Sequence, residues 1–399
     1  MLTYLTSGES HGPQLTAIID GLPAGLPIDL DQINHQLARR QKGYGRGGRQ
    51  HIERDTAVIT AGVRHGLTLG GPVTLVVENR DWKNWSGIMH PVDPPASELT
   101  EKQERLLNET RRPRPGHADL AGGIKWNHHD LRNVLERASA RETAARVAVG
   151  SLARQLLERY GVRFVGHVVR IGDVALPEDF DRSDLDRLLE VTEASEVRCA
   201  DETIGTNMKE AIHAAIKERD SLGGVAELIV RGLPVGLGSC MQSGRRLDGQ
   251  LAGALMSIQS VKGVEIGLGF TGSRRCGSTV HDEVFYDPGG DPRRKGFFRR
   301  TNNAGGLEGG ITNGEDLVCR AAAKPISTLM QPLKTVDVDS KEAAEAMVER
   351  TDVCVVPAVA VITEAVAAPV LTEAFLSKFG SDNITEIDRH FQSWLDASY

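Results

Sequence analysis

An apolar run from Val353 to Leu371 is the feature that most constrains how this chain folds. Its length approaches the roughly 20 apolar residues that a membrane-spanning helix needs. The run is interrupted at four positions, by Pro357, Thr363, Glu364 and Pro369. We therefore predict that it forms buried core rather than a membrane span, and a chain of 399 residues is long enough to build a sizeable core.

The composition is that of an ordinary globular protein and argues against several classes. Hydrophobic residues make up 40% and charged residues 25%, which argues against disorder and against a fibre. The chain has 47 Lys and Arg against 54 Asp and Glu, and the net charge of −7 argues against a nucleic-acid partner. Five cysteines without a CxxC pair suit a reducing compartment and argue against a metal site. The N-terminus shows no signal-peptide pattern, so we expect a cytoplasmic protein without a membrane partner.

We predict a single α+β domain over residues 1–399, because no low-complexity linker divides the chain. Hydrophobic patterns and turn residues predict strands at 14–20, 56–63, 72–79, 162–170, 225–231 and 263–287. They predict helices at 29–41, 98–108, 139–161, 183–190, 206–219, 247–260, 340–350 and 384–396. Helix starts are indicated by an N-cap at Asp29, a capping box formed by Ser139 and Glu142, and a cap at Ser340.

The first candidate motif is GESHG at residues 8–12. It matches the G-x-S-x-G pattern of a hydrolase nucleophile elbow, in which Ser10 would be the nucleophile. That elbow needs a sheet before it, and only seven residues precede Gly8. Two other interpretations stay open: a glycine-flanked turn, or a ligand loop in which His11 is a general acid near neutral pH.

A cationic, glycine-rich motif occupies residues 39–49, RRQKGYGRGGR. Its glycines satisfy G-x-G-x-x-G, but a dinucleotide fingerprint must follow a strand, and this one follows a predicted helix. Five cationic side chains lie in this segment, and no acid occurs from Gln32 to Ile52. The segment is therefore either a solvated basic face or a loop whose arginines grip a phosphate or carboxylate.

A second basic loop spans residues 111–119, RRPRPGHAD, and its prolines stiffen it. His117 is a second candidate acid, and Asp119 could orient it. A lone histidine is more often structural than catalytic. Two histidines that each lie beside glycine and near arginines favour a functional interpretation.

Further segments could bind anions or assist proton transfer. Ser139 is a good helix cap in any protein, but a helix start between Arg137 and Arg141 is also an anion site. The loops at 302–310 and 324–328 resemble backbone-donor loops for a phosphate-bearing cofactor. Asp352, in the segment Arg350-Thr351-Asp352, could be a structural partner or a base. The residues alone thus predict an enzyme that acts on a small polyanion by histidine acid chemistry.

Taken together, these motifs resemble the chorismate synthase family. GESHGPQLTAIIDGLP at 8–23, ERASARETAARVAVGSL at 136–152 and RTDVCVVPAVAVITEAV at 350–366 are similar to its signatures. The loops RRQKGYGRGGR, RPGHAD, AGGLEGG and KPIST are also typical of the family, although Thr351 stands where Ser or His is commoner. The resemblance implies a large β-α-β sandwich, with helices packed between antiparallel sheets, and a homotetramer.

The resemblance also implies the reaction. It is a 1,4-anti elimination of phosphate from 5-enolpyruvylshikimate 3-phosphate that gives chorismate, the last step of the shikimate pathway. The family requires reduced FMN without net redox change. We expect an external flavin reductase to supply it, with NADPH as a further candidate reductant.

The resemblance assigns roles by motif position. His11 would protonate the departing phosphate, His117 would protonate the reduced flavin, and Asp352 would assist proton removal through the flavin N5. Substrate or NADPH would be bound by Ser10, Arg40, Arg46, Arg49 and Arg114. FMN would be bound by Arg137, Ala138, Ser139, Gln259, Ser260, Gly309, Lys324, Pro325, Ile326, Ser327, Thr328 and Arg350. The alternatives are a serine hydrolase using Ser10 and a non-catalytic phosphate- or nucleotide-binding protein.

Overall fold

Two antiparallel sheets enclose a layer of helices. The computed structural model describes residues 1–47, 54–93, 100–101, 103–104, 110–348 and 352–399. The α+β sandwich expected from the resemblance is confirmed. A single domain over the whole chain stays a prediction.

The first sheet is built from the N-terminal part of the chain. Its strands are Thr3–Ser7 (β1), Gln14–Asp20 (β2), Ala57–Ala61 (β3) and Val73–Glu78 (β6), in the order β1-β2-β6-β3. A short hairpin, Val63–Arg64 (β4) and Leu67–Thr68 (β5), connects β3 to β6. Along β2, Leu15, Ala17 and Ile19 are buried while the residues between them are more exposed, because successive side chains of a strand point to opposite faces.

The second sheet comes from the C-terminal part. Its strands are Arg163–Ile171 (β7), Val174–Ala175 (β8), Gly224–Arg231 (β9), Val261–Ile266 (β10) and Leu317–Ala323 (β15), in the order β10-β15-β9-β7-β8. Three hairpins accompany it: Val284–Tyr286 (β11) with Phe297–Arg299 (β12), Leu307–Glu308 (β13) with Ile311–Thr312 (β14), and Lys334–Val336 (β16) with Ala343–Glu345 (β17).

The described helices are Leu30–Gln41 (α1), Trp82–Met89 (α2), Asp119–Trp126 (α3), Arg132–Ala138 (α4), Thr143–Arg159 (α5), Leu185–Ala194 (α6), Glu202–Glu218 (α7), Leu247–Met256 (α8), Val356–Phe379 (α9) and Ile384–Asp396 (α10). Helix α5 packs on the first sheet and α9 packs on the second, and the two helices pack against each other. The apolar run predicted to be core is therefore the centre of the sandwich.

Helix α9 satisfies the length and composition of a membrane span, yet 89% of its most apolar window is buried inside the protein. The predicted burial of the run is confirmed. Glycines let its neighbours approach closely. A Cβ at Gly150 of α5 would lie 2.2 Å from the Ala365 carbonyl oxygen, and one at Gly166 of β7 would lie 2.1 Å from that of Ala360. Neither position can hold a larger residue without moving the helix backbone.

The N-cap predicted at Asp29 is confirmed, since its side chain accepts hydrogen bonds from the Asp31 and Gln32 backbone N–H groups. The predicted capping box is wrong. Ser139 instead caps a 3₁₀ turn by accepting from the Arg141 N–H, and α5 begins only at Thr143.

Two further predicted elements differ from the structure, and one cannot be compared with it. The helix predicted at 340–350 is wrong in its described part, where β16 and β17 form a hairpin. The Asp337 side chain accepts from the Asp339 and Ser340 N–H groups, which makes a turn where a helix start was expected. The strand predicted at 263–287 is broken by 3₁₀ turns at 269–274 and 277–279. The helix predicted at 98–108 falls largely outside the described residues.

Candidate active site

A cavity of about 410 Å³ lies where several loops meet the start of α9. The loops come from distant parts of the sequence, including the turn after β1 and the segment after α1. The predicted site residues in its wall are Ser10, His11, Arg40, Arg46, Arg114, His117, Ala138, Ser139, Gln259, Ser260, Lys324, Ile326, Ser327, Thr328 and Asp352.

The other predicted residues lie elsewhere or cannot be placed. Among the described residues, those that do not line the cavity are Arg137, Gly309 and Pro325. Arg137 donates to the Thr6 carbonyl oxygen at 2.8 Å, and Gly309 lies in the turn between β13 and β14, beside Cys240. Outside the described residues are Arg49 and Arg350.

The charged side chains of the wall are mainly cationic. They are Arg40, Arg46, Arg114, Arg141 and Lys324, with the carboxylate of Asp352 among them. The buried carboxylates of Asp55, Asp119 and Glu136, which balance part of this charge, lie behind the wall rather than in it. The protein is acidic overall, but this cavity presents positive charge and attracts a small anion with several charges.

Arg40 and Arg141 are held side by side by one buried carboxylate, Asp55. Arg40 Nη2 lies 2.7 Å from Asp55 Oδ2, and Arg141 Nη1 lies 2.5 Å from Asp55 Oδ1. Burial raises the pKa of Asp55, but the charges of the two arginines outweigh it, so its pKa lies below the ordinary value. One carboxylate thus binds two guanidinium groups, so these three side chains together have a net charge of about +1 beside the cavity.

Asn79 ties this cationic pair to the GESHG turn. Its Oδ1 accepts from Arg141 Nε and Nη2 at 2.9 and 2.8 Å. Its Nδ2 donates to the Gly12 carbonyl oxygen at 2.7 Å. The turn that carries His11 and the arginine that faces the cavity therefore form one hydrogen-bonded unit.

His11 is fixed by a buried carboxylate and an aromatic ring. Its Nδ1 lies 2.9 Å from Glu136 Oε1, and its ring stacks on Trp85 with 3.9 Å between centroids. Arg132 Nη1 also donates to Glu136 Oε1, at 2.9 Å. Burial raises the pKa of Glu136, but the hydrogen bonds from His11 and the charge of Arg132 outweigh it and lower the pKa.

His117 is held in a similar way. Its Nδ1 lies 2.5 Å from Asp119 Oδ1, and Arg114 Nε donates to Asp119 Oδ2 at 2.9 Å. Burial raises the pKa of Asp119, but these hydrogen bonds outweigh it and hold the pKa well below its usual range. The orienting role predicted for Asp119 agrees with this geometry. Arg114 also donates to Thr328 Oγ1 at 3.1 Å, which joins the loop to the 324–328 segment.

Asp352 lies at the entry to α9 and binds the loop that follows α1. Its Oδ1 accepts from the Gly47 N–H at 2.6 Å, and its Oδ2 lies 3.3 Å from Arg46 Nη1. Gly45 has a φ of +81°, and a Cβ there would lie 2.7 Å from Ile212 Cγ2, so the loop requires glycine at this point.

Three buried polar atoms of residues in the cavity wall have no hydrogen-bond partner among the described residues. Within the described residues, Gln259 Oε1, Ser260 Oγ and Arg40 Nε are buried without a hydrogen bond. Leaving a buried polar group unpaired costs about 1–3 kcal/mol, so these atoms are suited to a bound molecule. Two of these atoms belong to Gln259 and Ser260, which the resemblance assigns to the flavin. Their lack of a protein partner fits an FMN site.

An apolar part of the wall was not predicted from the sequence. It consists of Leu135, Ile258, Val355, Ala358, Val359 and Ile362. An apolar surface beside unpaired donors and acceptors suits a molecule with a flat ring system and a polar edge. Its residues gave no local signal, because they come from three segments that only the fold brings together.

Ser10 is buried, and its hydroxyl oxygen lies 3.3 Å from that of Ser139. The neighbouring His11 directs Nδ1 to Glu136. This arrangement differs from a serine nucleophile hydrogen-bonded to a histidine base.

The family model of chorismate synthase matches residues 2–376. A chorismate synthase of Symbiobacterium thermophilum is 54% identical over 395 residues, covering 99% of each chain. A chorismate synthase of Geobacter sulfurreducens is 54% identical over 399 residues, again covering 99% of each. A crystal structure of chorismate synthase superposes with a TM-score of 0.78 and 41% identity, covering 99% of this chain and 97% of the other.

Proposed function

Because the chain belongs to the chorismate synthase family, we propose that its cavity eliminates phosphate from 5-enolpyruvylshikimate 3-phosphate to give chorismate. Membership confirms the resemblance found in the sequence and assigns the chain to the lyases. The serine-hydrolase and non-catalytic binding alternatives have no support from these matches.

The observation that carries the proposal is a cationic cavity containing two histidines, each backed by a carboxylate. The substrate combines a phosphate with two carboxylates, so it needs several cations in one small volume. Arg40, Arg46, Arg114, Arg141 and Lys324 offer them. Arginine suits this task because its planar fork binds carboxylate or phosphate through two parallel hydrogen bonds.

His11 would protonate the departing phosphate. Its Nδ1 hydrogen is directed to Glu136, so Nε2 would be the nitrogen that donates to a phosphate oxygen. His117 is oriented similarly by Asp119 and would be the second acid. Asp352, at the entry to α9, would assist removal of the ring hydrogen as a proton.

The residues present fit reduced FMN as the cofactor. When bound, it would supply the electron density that helps phosphate leave, as the family resemblance implies. The unpaired atoms of Gln259 and Ser260 would meet its polar edge. The segment 324–328 and Ser139 would hold its phosphate and side chain, and the apolar wall would exclude water from the reacting faces.

The remaining proposals follow from the family resemblance. We propose a homotetramer, supplied with reduced flavin by an external reductase, and NADPH as a candidate reductant near Arg40 and Arg46. The protein would act in the cytoplasm on a small molecule, without a nucleic-acid or membrane partner.

The test is an anaerobic assay with photoreduced FMN and 5-enolpyruvylshikimate 3-phosphate, following chorismate absorbance and phosphate release together. We expect the two products in equal amounts, and none with oxidised FMN. A folded, flavin-binding protein that forms no chorismate would contradict the activity. Failure to bind flavin would contradict the cofactor proposal and favour a plain anion-binding role.

A further inference from the structure

Glu136 lies behind His11 and is almost completely buried, with 1% of its surface exposed. Its carboxylate accepts from the His11 backbone N–H at 2.8 Å and faces the ring Nδ1 at 2.9 and 3.0 Å. Arg132 Nη1 donates to it at 2.9 Å. Its own carbonyl oxygen accepts from the Ser10 N–H at 3.1 Å. One residue of α4 therefore holds both the backbone and the ring of the candidate acid.

Three donors converge on this carboxylate: the His11 backbone N–H, the His11 ring and Arg132. A carboxylate has only acceptor oxygens and can satisfy all three. A glutamine has one oxygen and one NH₂ group, so one donor would face another donor. The site is thus specific for a carboxylate rather than for the shape of the side chain.

One face of the His11 ring is covered by Trp85, which stacks on it at 3.9 Å between centroids. The Arg132 guanidinium lies over Trp85 at 5.1 Å from its ring centre. Arg132 is 2% exposed, so its charge is buried beside Glu136. The His11 ring therefore has its Nδ1 edge against a buried carboxylate and one face against an indole.

We propose that Glu136 is a positioning residue that keeps the His11 proton on Nδ1 and directs Nε2 toward the leaving phosphate. A neutral imidazole carries its hydrogen on the nitrogen that has the acceptor. When His11 takes up a second proton, that proton is on Nε2, where it can be donated. The carboxylate also balances the charge of the imidazolium. Without it, that charge would be repelled by Arg132 and by the cationic groups of the cavity wall, which include Arg40, Arg114 and His117. The catalytic part of this inference rests on the proposed role of His11.

The direct test is the tautomer of His11, measured by solid-state NMR on the full-length protein with ring-¹⁵N histidine, at about pH 9, where imidazoles are neutral. A His11→Gln sample assigns the resonance. We expect the wild-type proton on Nδ1. In Glu136→Gln, whose NH₂ group can face Nδ1, we expect a shift toward the Nε2 tautomer. A wild-type Nε2 tautomer, or an unchanged tautomer in Glu136→Gln, would overturn the proposal.

Kinetics provide the second test. We expect Glu136→Gln to lower kcat roughly 10- to 100-fold with little change in KM, because a wrongly held acid slows proton transfer without removing a substrate contact. Glu136→Asp keeps the charge and should recover part of this loss. If Glu136→Gln does not fold, Glu136→Asp and the wild-type tautomer still decide the question.

Glu364→Gln is the matched control. Glu364 is also a buried carboxylate, which accepts from Arg39 at 2.7 Å, Arg154 at 2.5 Å and the Gly166 N–H at 2.6 Å, and none of the described histidines bonds to it. A purely structural role for Glu136 would make both variants lose stability and rate alike, and this would overturn the proposal. If His11→Ala kept full turnover, the acid role would fail, whereas the tautomer measurement would still test the positioning.

Discussion

At the residue scale, the candidate site repeats one arrangement, in which a histidine and an arginine share a buried carboxylate. His11 and Arg132 share Glu136, and His117 and Arg114 share Asp119. The carboxylate fixes which ring nitrogen faces the cavity, and the arginine keeps the carboxylate ionised. We therefore expect proton transfer to depend on the two buried carboxylates as well as on the histidines.

Asp119→Asn tests the second of these pairs. The pKa of Asp119 lies well below its usual range, so it is ionised throughout the range in which a histidine titrates. We expect a fall in kcat of at least roughly tenfold, the low end for a positioned acid–base group. Asp388→Asn, at a half-exposed pair with Arg159, is the control and should keep its rate. Equal rates for Asp119→Asn and wild type in the anaerobic assay would exclude an orienting role.

Asp352→Asn tests the assistance to proton removal that is expected of Asp352. The amide oxygen can still accept from the Gly47 N–H, so the loop after α1 should stay in place. We expect flavin binding close to wild type, measured by fluorescence quenching, and turnover at least roughly tenfold slower. Undiminished turnover would remove Asp352 from the mechanism. Lost flavin binding would point instead to a structural role for its contact with Arg46.

The sequence predicted the site residues that stand in short motifs, and the structure brings most of these to one cavity. It missed Asn79, which has no distinctive neighbour. It also missed Asp55, although this residue lies three positions after the acid-free basic segment. Glu136 stands within ERASARE, where Ser139 and Glu142 match a capping pattern and nothing marks Glu136 itself. The physical reason is that a supporting residue is defined by its burial and partners, which sequence spacing does not encode.

At the element scale, close packing around α9 limits the size of the side chains that the neighbouring helix and strand can have. Gly150 and Gly166 can be seen in the sequence as glycines of α5 and β7. The sequence does not show that each of them contacts α9 across the layers. The capping box failed for a related reason. Glu142 turns away from Ser139 and binds Thr6, Gln259 and Arg146, because tertiary partners outweigh a local cap.

Gly150→Ala tests this packing. The added methyl would meet the Ala365 backbone at 2.2 Å, so α9 would have to shift, and overpacking typically costs 1–3 kcal/mol or more. We expect a clear fall in the thermal midpoint. Gly253→Ala in α8 is the matched control, because nothing lies within 4 Å of its added Cβ. It should be neutral or stabilise by up to about 1 kcal/mol. Similar midpoints for the two variants would contradict the packing argument.

The second sheet carries a buried carboxylate that makes stability depend on pH. Glu227 lies 2.9 Å from His167 and 2.7 Å from Arg320. Burial raises its pKa, but these partners outweigh burial and bring it to about 2. A lowered folded-state pKa stabilises the protein above the unfolded value of 4.5, and this contribution is lost as pH falls toward about 2. We expect Glu227→Gln to flatten the stability curve between these pH values in urea titrations. An unchanged slope would contradict this.

At the scale of the whole molecule, the chain separates its charges. It has a net charge of −7, yet the cavity gathers arginines and a lysine from loops far apart in sequence. The net charge predicts that the chain is not a general nucleic-acid binder, and this stays a prediction. It could not show where the cations meet, because that depends on how both sheets and α9 place their loops.

This separation predicts that substrate capture depends on salt. Screening weakens attraction between partly exposed charges as the Debye length falls from about 30 Å at 0.01 M to about 3 Å at 1 M salt. We expect KM for 5-enolpyruvylshikimate 3-phosphate to rise several-fold between 20 and 500 mM KCl at roughly constant kcat. Arg141→Gln should raise KM at low salt and weaken its salt dependence. Arg159→Gln, at the half-exposed pair with Asp388, should do neither. A KM independent of salt in the wild type would show that the cavity's cations act only through short, buried contacts and do not steer the substrate.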